Sequence, residues 1–295
     1  MNENFILSCC STVDLTPELM EKRQVRYAHF HYSLDPREYE DDMGQTVSMD
    51  AFYKAMVDGA EARTAQINVE DYCRHFTPFL QEGKDVLHLT LSSGISGSYN
   101  SARIAAGILK EQYPDRRVLV VDSLGASSGS GLLVMTLADM RDAGQSLDEL
   151  CAWAETHRRE MHHWFYSSDL TFYVKGGRVT KAAGWFGTVL KICPVLNMDV
   201  EGRLIPRFKV RGKQNAMREI VKQMELHAQG GTDYDQSVYI SHSDCLADAE
   251  KVAAMVRERF PRVTTVPIFN IGPTIGCHSG PGTVALYFWG DERKD

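Results

Sequence analysis

An apolar strand pattern at residues 87–91 runs into a turn that holds Ser92, Ser93, Gly94, Ser96, Gly97 and Ser98, and then into a helical pattern. In that pattern Tyr99, Ala102, Ala105, Ala106, Ile108 and Leu109 recur at three- and four-residue spacing, so one face packs inward beneath the turn. Ser96 or Ser98 falls where an N-cap belongs. Free backbone N–H groups, the positive end of the helix dipole and several hydroxyls then meet at one spot, which suits a carboxylate or a phosphate. A plain capped helix explains the same residues without a ligand. A nucleophile elbow does not, because Gly94-Ile95-Ser96-Gly97-Ser98 puts a serine where the second glycine of G-x-S-x-G belongs. Walker A and G-x-G-x-x-G patterns are missing from the stretch.

Three other stretches carry polar chemistry. In "FNIGPTIGCHSGPGTVALYF" glycines and prolines shape a loop around His278, which either donates a hydrogen bond at an anion site or is a satisfied loop histidine. "SSDLTFYVKGGRVTKAAGWFG" pairs a helical start with Arg178 after two glycines and then a second helical pattern. "PRFKVRGKQNAMREIV" sets Lys209, Arg211 and Lys213 at a strand-to-helix junction, able to meet a phosphate or an acidic surface. His29, His31, His162 and His163 read as strand-face histidines rather than metal ligands, since neither H-E-x-x-H nor a Cys/His quartet accompanies them. Trp185, Phe186 and Met135 read as core.

The elements that must position these residues alternate in the first half. Strand patterns "NFILS", "VRYAHFHYSL", "DVLHLTL" and "RVLVVDS" are separated by helical ones, the signature of a parallel α/β sheet. After about residue 163 five strand candidates surround helical stretches near 212–228 and 244–259, as in an α+β domain. The expected architecture is α/β in two domains, 1–163 with the parallel sheet and the Ser-Gly turn, and 164–295 as the α+β unit. "LDPREYEDDMGQTVSM" interrupts the rhythm as a surface excursion.

Composition bounds the function. The chain has 295 residues, 43% of them apolar and 24% charged, and a formal charge of -7, which argues against a nucleic-acid ligand. Seven cysteines without C-x-x-C spacing indicate neither a zinc ribbon nor a disulfide framework. The sequence contains no secretory pattern and no apolar run of membrane-spanning length, so a cytoplasmic protein with at most transient membrane contact is expected.

Together, "TLSSGISGSYNSA", "VDSLGASSGSGLLV", "YVKGGRVTKAAGWFGTVLKICPVL", "FKVRGKQNAM" and "IGPTIGCHSGPGT" resemble, in order and spacing, the DegV family of fatty-acid-binding proteins over almost the whole chain. The resemblance implies a non-enzymatic carrier without cofactor or metal. One long-chain fatty acid would lie in an apolar tunnel between the domains, and the FakB members present it to a separate ATP-dependent fatty acid kinase, whose acyl phosphate product enters phospholipid synthesis. It implies carboxylate contacts from Thr64, Ser92, Ser93, Gly94 and His278. Arg178 and Arg211 would stand outside, on a rim that meets the kinase or the phosphoryl group.

Three positions depart from the family pattern. Cys10 replaces the first aspartate of D-S-x-x-D-L, "Thr64-Ala65-Gln66-Ile67" stands for T-S-Q-P, and Ser279 for the threonine after the histidine. Two other functions fit part of the sequence: an acyl hydrolase or transferase using Ser93 with His278 as base, and a lipid-sensing regulator acting through a partner protein.

Overall fold

The computed structural model describes residues 5–168, 170–179 and 192–294. Strands β1 (Phe5–Cys10), β2 (Val25–Ala28), β6 (Asp85–Thr90) and β7 (Val118–Asp122) form a parallel sheet in the order β2-β1-β6-β7. Its strands are apolar on both faces, as parallel strands covered by helices must be. Helices α3 (Val69–Gln81) and α4 (Ser98–Gln112) cover one face, and α5 (Ser127–Asp142) and α6 (Leu147–His157) lie on the other. Helix α1 (Pro17–Lys22) leads into β2, and its N-cap Thr16 accepts from Leu19 N–H.

A second sheet has six strands, ordered β10 (Leu204–Arg211), β9 (Ile192–Met198), β8 (Met161–Ser167), β13 (Thr283–Trp289), β11 (Tyr239–His242) and β12 (Ile268–Asn270). All its pairings are antiparallel except β11 with β12. Helices α8 (Lys213–His227) and α9 (Leu246–Arg259) pack against it. Helix α5 is buried along most of its length because both sheets press on it, and one apolar core therefore runs continuously from Leu7 and Leu89 through Leu133 and Leu137 to Leu196 and Leu286. The expected boundary after residue 163 falls within β8.

The third sheet, β4 (Arg37–Glu40), β3 (His31–Leu34) and β5 (Ala62–Ala65), is antiparallel and packs with α2 (Met49–Val57) and α10 (Pro273–Ser279). It corrects two expectations. The single strand expected at 25–34 is two strands in different sheets, and the excursion at 34–49 supplies β4, where Tyr39 stacks on Tyr32. Asp41 of the same excursion is buried and accepts from Thr274 N–H at 3.2 Å.

The glycine-rich loop expected around His278 contains a helix. Pro273 opens α10 at its first turn, where a missing N–H costs nothing, and Gly280 at φ 63° ends it. Helix α7 (Thr171–Lys175) matches the helical start before the Gly-Gly-Arg. The second helical pattern of that stretch, with Trp185 and Phe186, lies outside the described residues. Met135 is core, as expected.

Candidate functional site

A mostly apolar cleft opens between the two larger sheets, enclosing about 780 Å³ of space that is partly continuous with solvent. Its walls follow two regular elements. On α10 and the residue pair before it, Ile271, Thr274, Ile275 and His278 recur at helical spacing and line one side. On β13, Thr283, Ala285 and Tyr287 alternate onto one face, with Phe165 and His163 of β8 beside the last two.

At one end of the cleft Thr64 Oγ1 and His278 Nε2 lie 2.8 Å apart. Residue 64 reaches this place because β5 pairs with β3 and the small sheet carries it against α10. His278 Nδ1 is buried with no hydrogen-bond partner among the described residues, and a Cβ on Gly176 would overlap it. A buried orphan acceptor is tolerated better than an orphan N–H, so the favoured tautomer carries its proton on Nε2. That proton then goes to Thr64 Oγ1, and the threonine hydroxyl is left to donate into the cleft. Burial, with a smaller effect from Arg178, pushes the His278 pKa down to about 4, so the ring is neutral.

Arg178 corrects the expectation of an outer rim: it lines the same cleft. Its Nε donates to Ile95 O at 3.3 Å and one amino group to Gly176 O at 2.5 Å, so the guanidinium bridges the Ser-Gly turn and the loop after α7. The residue is half-buried, desolvation pushes its pKa down, and no carboxylate pairs with it among the described residues. Arg211 ends β10 and is exposed. Lys209 lies on the same strand, and Lys213 begins α8 with its ammonium 3.0 Å from Asp248.

The Ser-Gly turn contributes Leu91, Ile95 and Ser96 to the lining. Ser92 is buried and tethers the turn, its hydroxyl donating to Gly202 O at 2.8 Å and accepting from Gly94 N–H at 3.1 Å. Ser93 N–H donates to Asp122 Oδ1 at 3.1 Å, while its hydroxyl is exposed and makes no hydrogen bond among the described residues. Ser96 or Ser98, expected as the N-cap of α4, does not hold that position: Gly97 does, and Ser96 Oγ accepts from Ser98 N–H at 3.2 Å. A hydrolytic Ser93–His278 pair does not form, since His278 Nε2 faces Thr64 and no carboxylate orients the ring among the described residues.

Sequence reasoning missed Gln66, Ser127, His163 and Tyr287 as lining residues. Alternation along β8 and β13 signals one shared face but not what that face meets. Cys10, at the departure from the family pattern, is a buried thiol whose Sγ lies 3.3 Å from Tyr72 OH and 3.7 Å from His88 Nε2. Burial raises its pKa to about 11, so the position is neutral where an aspartate would bring charge. His162, His227 and Asp291 are the one group close enough to hold a metal ion among the described residues. The two imidazoles stack at 20°, and His162 Nε2 lies 2.8 Å from Asp291 O; a metal ion cannot lie in both nearly parallel ring planes.

Two sheets around one mostly apolar cleft with a few convergent polar groups define an α/β protein whose cleft is amphiphilic. Residues 10–290 match the model of the DegV family, described as uncharacterised protein, DegV family COG1307, and the chain belongs to that family. It is 32% identical to a DegV domain-containing protein of Clostridium perfringens, covering 99% of each chain. It is 31% identical to a protein of Thermotoga maritima named fatty acid-binding protein, covering 96% of this chain and 97% of the relative. The structure of a fatty-acid-binding DegV protein from Thermus thermophilus superposes with a TM-score of 0.86 at 28% identity, covering 97% of this chain and 99% of that one. No helix among the described residues is long and apolar enough to cross a membrane.

Proposed function

We propose that the protein is a cytoplasmic carrier that binds one long-chain fatty acid in the cleft and presents its carboxylate to a separate ATP-dependent fatty acid kinase. The observation that carries this reading is the cleft's polarity: an apolar channel with the Thr64–His278 pair and Arg178, which no carboxylate pairs among the described residues, at one end. Each buried methylene contributes about 0.8 kcal/mol, so the tail supplies most of the affinity and the polar end fixes which way the chain lies. The carboxylate accepts a hydrogen bond from the Thr64 hydroxyl beside the turn of Ser92, Ser93 and Gly94. The relatives that bind fatty acids support the same ligand class.

Arg178, half-exposed at the polar end, stands where an incoming phosphoryl group meets the carboxylate. There a cation offsets charge that grows during transfer. Arg211 is the docking residue on the exposed end of β10. We expect Arg211→Ala to leave the affinity for a fluorescent fatty acid within about twofold and to lower acyl-phosphate formation by a purified fatty acid kinase about tenfold, through weaker docking. Unchanged phosphorylation by this variant removes Arg211 from the interface, and no phosphorylation of the wild-type complex by any such kinase removes the carrier role while leaving lipid binding intact.

A further inference from the structure

The cleft has a second end. Tyr173 OH lies 3.2 Å from Thr283 Oγ1, and Tyr173 is three residues from Gly176, which abuts His278, so the Thr283 end of β13 belongs to the polar head. Two further rungs follow on the same sheet face, Ala285 opposite Phe165 and Tyr287 opposite His163. From Thr283 to Tyr287 a strand covers about 14 Å. Helix α10 gives the same polarity: His278 is at its last turn, while at its start Gly272 N–H donates to Asp14 Oδ1 at 3.0 Å. Asp14 in turn connects through Ser127 and Ser241 to Tyr287 OH, at 2.5, 3.2 and 2.8 Å.

The Tyr287–His163 rung is rigid. The two rings meet edge to face at 5.3 Å and 83°, and His163 is held on both ring nitrogens, by Ala126 N–H at 3.3 Å and by Met161 O at 3.1 Å. The start of α5 presses directly on the pair, for a Cβ on Gly129 would overlap His163 Nε2 and lie 2.7 Å from Tyr287 Cδ1. Beyond the rung, among the described residues, the Tyr287, Ser241 and Ser127 hydroxyls and the Asp14 carboxyl form one buried hydrogen-bonded chain. A longer alkyl chain could pass only by breaking that network, and unpaired buried polar groups are expensive.

Resting on the proposed fatty-acid function, we infer that the Tyr287–His163 rung is the stop for the methyl end of the acyl chain and sets the longest acid that the protein accepts. Affinity then rises with each methylene until the tail meets the rung and falls abruptly beyond it. Ala285, one rung nearer the head, offers only a methyl; enlarging it moves the stop toward Thr283 by up to about 7 Å.

The test is a binding series of saturated acids from ten to twenty-two carbons on the full chain, for wild type, Ala285→Val and Tyr287→Val. The wild type is expected to show a sharp upper limit. Ala285→Val should lose at least tenfold affinity for the longest acid the wild type accepts and keep its affinity for acids several methylenes shorter. Tyr287→Val should accept acids at least two carbons longer. If either folded variant keeps the wild-type length profile while the wild type binds acids, the stop lies elsewhere and the inference is overturned. Should the wild type bind no acid of the series, the fatty-acid reading itself fails. Because one substitution fills the cleft and the other opens it, misfolding of one leaves the other to decide.

Discussion

Lowering the pH from 7.5 to 5.0 is expected to reduce the unfolding free energy of the protein by at least about 3 kcal/mol, read as a fall in the urea midpoint. The cause is a set of histidines folded in their neutral form. Burial pushes the pKa values of His75, His162 and His278 down to about 4 and those of His88 and His163 well below the ordinary value. In the unfolded chain these rings titrate near about 6.5. Their stabilisation is therefore present above that value and is lost as the pH falls toward 4, because in that window only the unfolded chain takes up the protons. Protonation also breaks specific bonds: His163 must accept from Ala126 N–H, and His162 from Trp164 Nε1 at 3.4 Å. Asp14 and Asp41 act in the opposite sense, since burial raises both and favours protonation in the fold. With His242, whose pKa burial also lowers, six histidines against these two carboxylates leave a net loss. A midpoint that is unchanged or higher at pH 5.0 contradicts this account of the buried rings.

The second large effect concerns the polar end of the cleft. Thr64→Val keeps the shape of the side chain but removes the hydroxyl that His278 orients, and His278→Ala removes the orienting ring. A hydrogen bond to a charged group is worth about 1.5–3 kcal/mol, so each variant should bind a fluorescent fatty acid about ten- to one-hundred-fold more weakly. Arg178→Ala should behave differently. Its guanidinium is half-exposed and screened by water, so binding should weaken less than about tenfold. Phosphorylation by the kinase should fall by about a hundredfold or more, because the lost cation faces the transferring group. Normal binding by both Thr64→Val and His278→Ala removes this pair from the carboxylate site; normal phosphorylation of Arg178→Ala removes the arginine from the transfer step.

The parallel sheet was legible because its strands and helices alternate and each strand is a short apolar run with clear flanks. Residues 25–34 were not divided correctly, since continuous strand-forming residues conceal the break between Ala28 and His31, where the chain leaves one sheet for another. Helix α10 was concealed by composition. Glycine and proline read as loop formers, yet Pro273 sits at a helix start and Gly280 just past its end, where each is favoured. Within the site, His278 stands out from its own loop as a candidate anion contact, whereas Thr64 enters only through resemblance to a family, since spacing alone does not pair residues 214 positions apart. The stretch from residue 92 to 98 was read as an anion cradle from its free N–H groups; in the fold Ser92 and Asp122 take up those of Gly94 and Ser93. The outer-rim position of Arg178 is what the family resemblance implies. Its place in the cleft comes from the carbonyls of Ile95 and Gly176, contacts that depend on two chain segments meeting.

Native mass spectrometry of the purified full chain, before and after delipidation and on readdition of acids from twelve to twenty carbons, tests the central claim most directly. The account predicts a single added mass, one fatty acid per chain, lost on delipidation and restored at a one-to-one ratio that does not rise with excess lipid. Delipidated, folded protein that takes up no saturated or unsaturated acid in that range, or that takes up several without saturation, would contradict it.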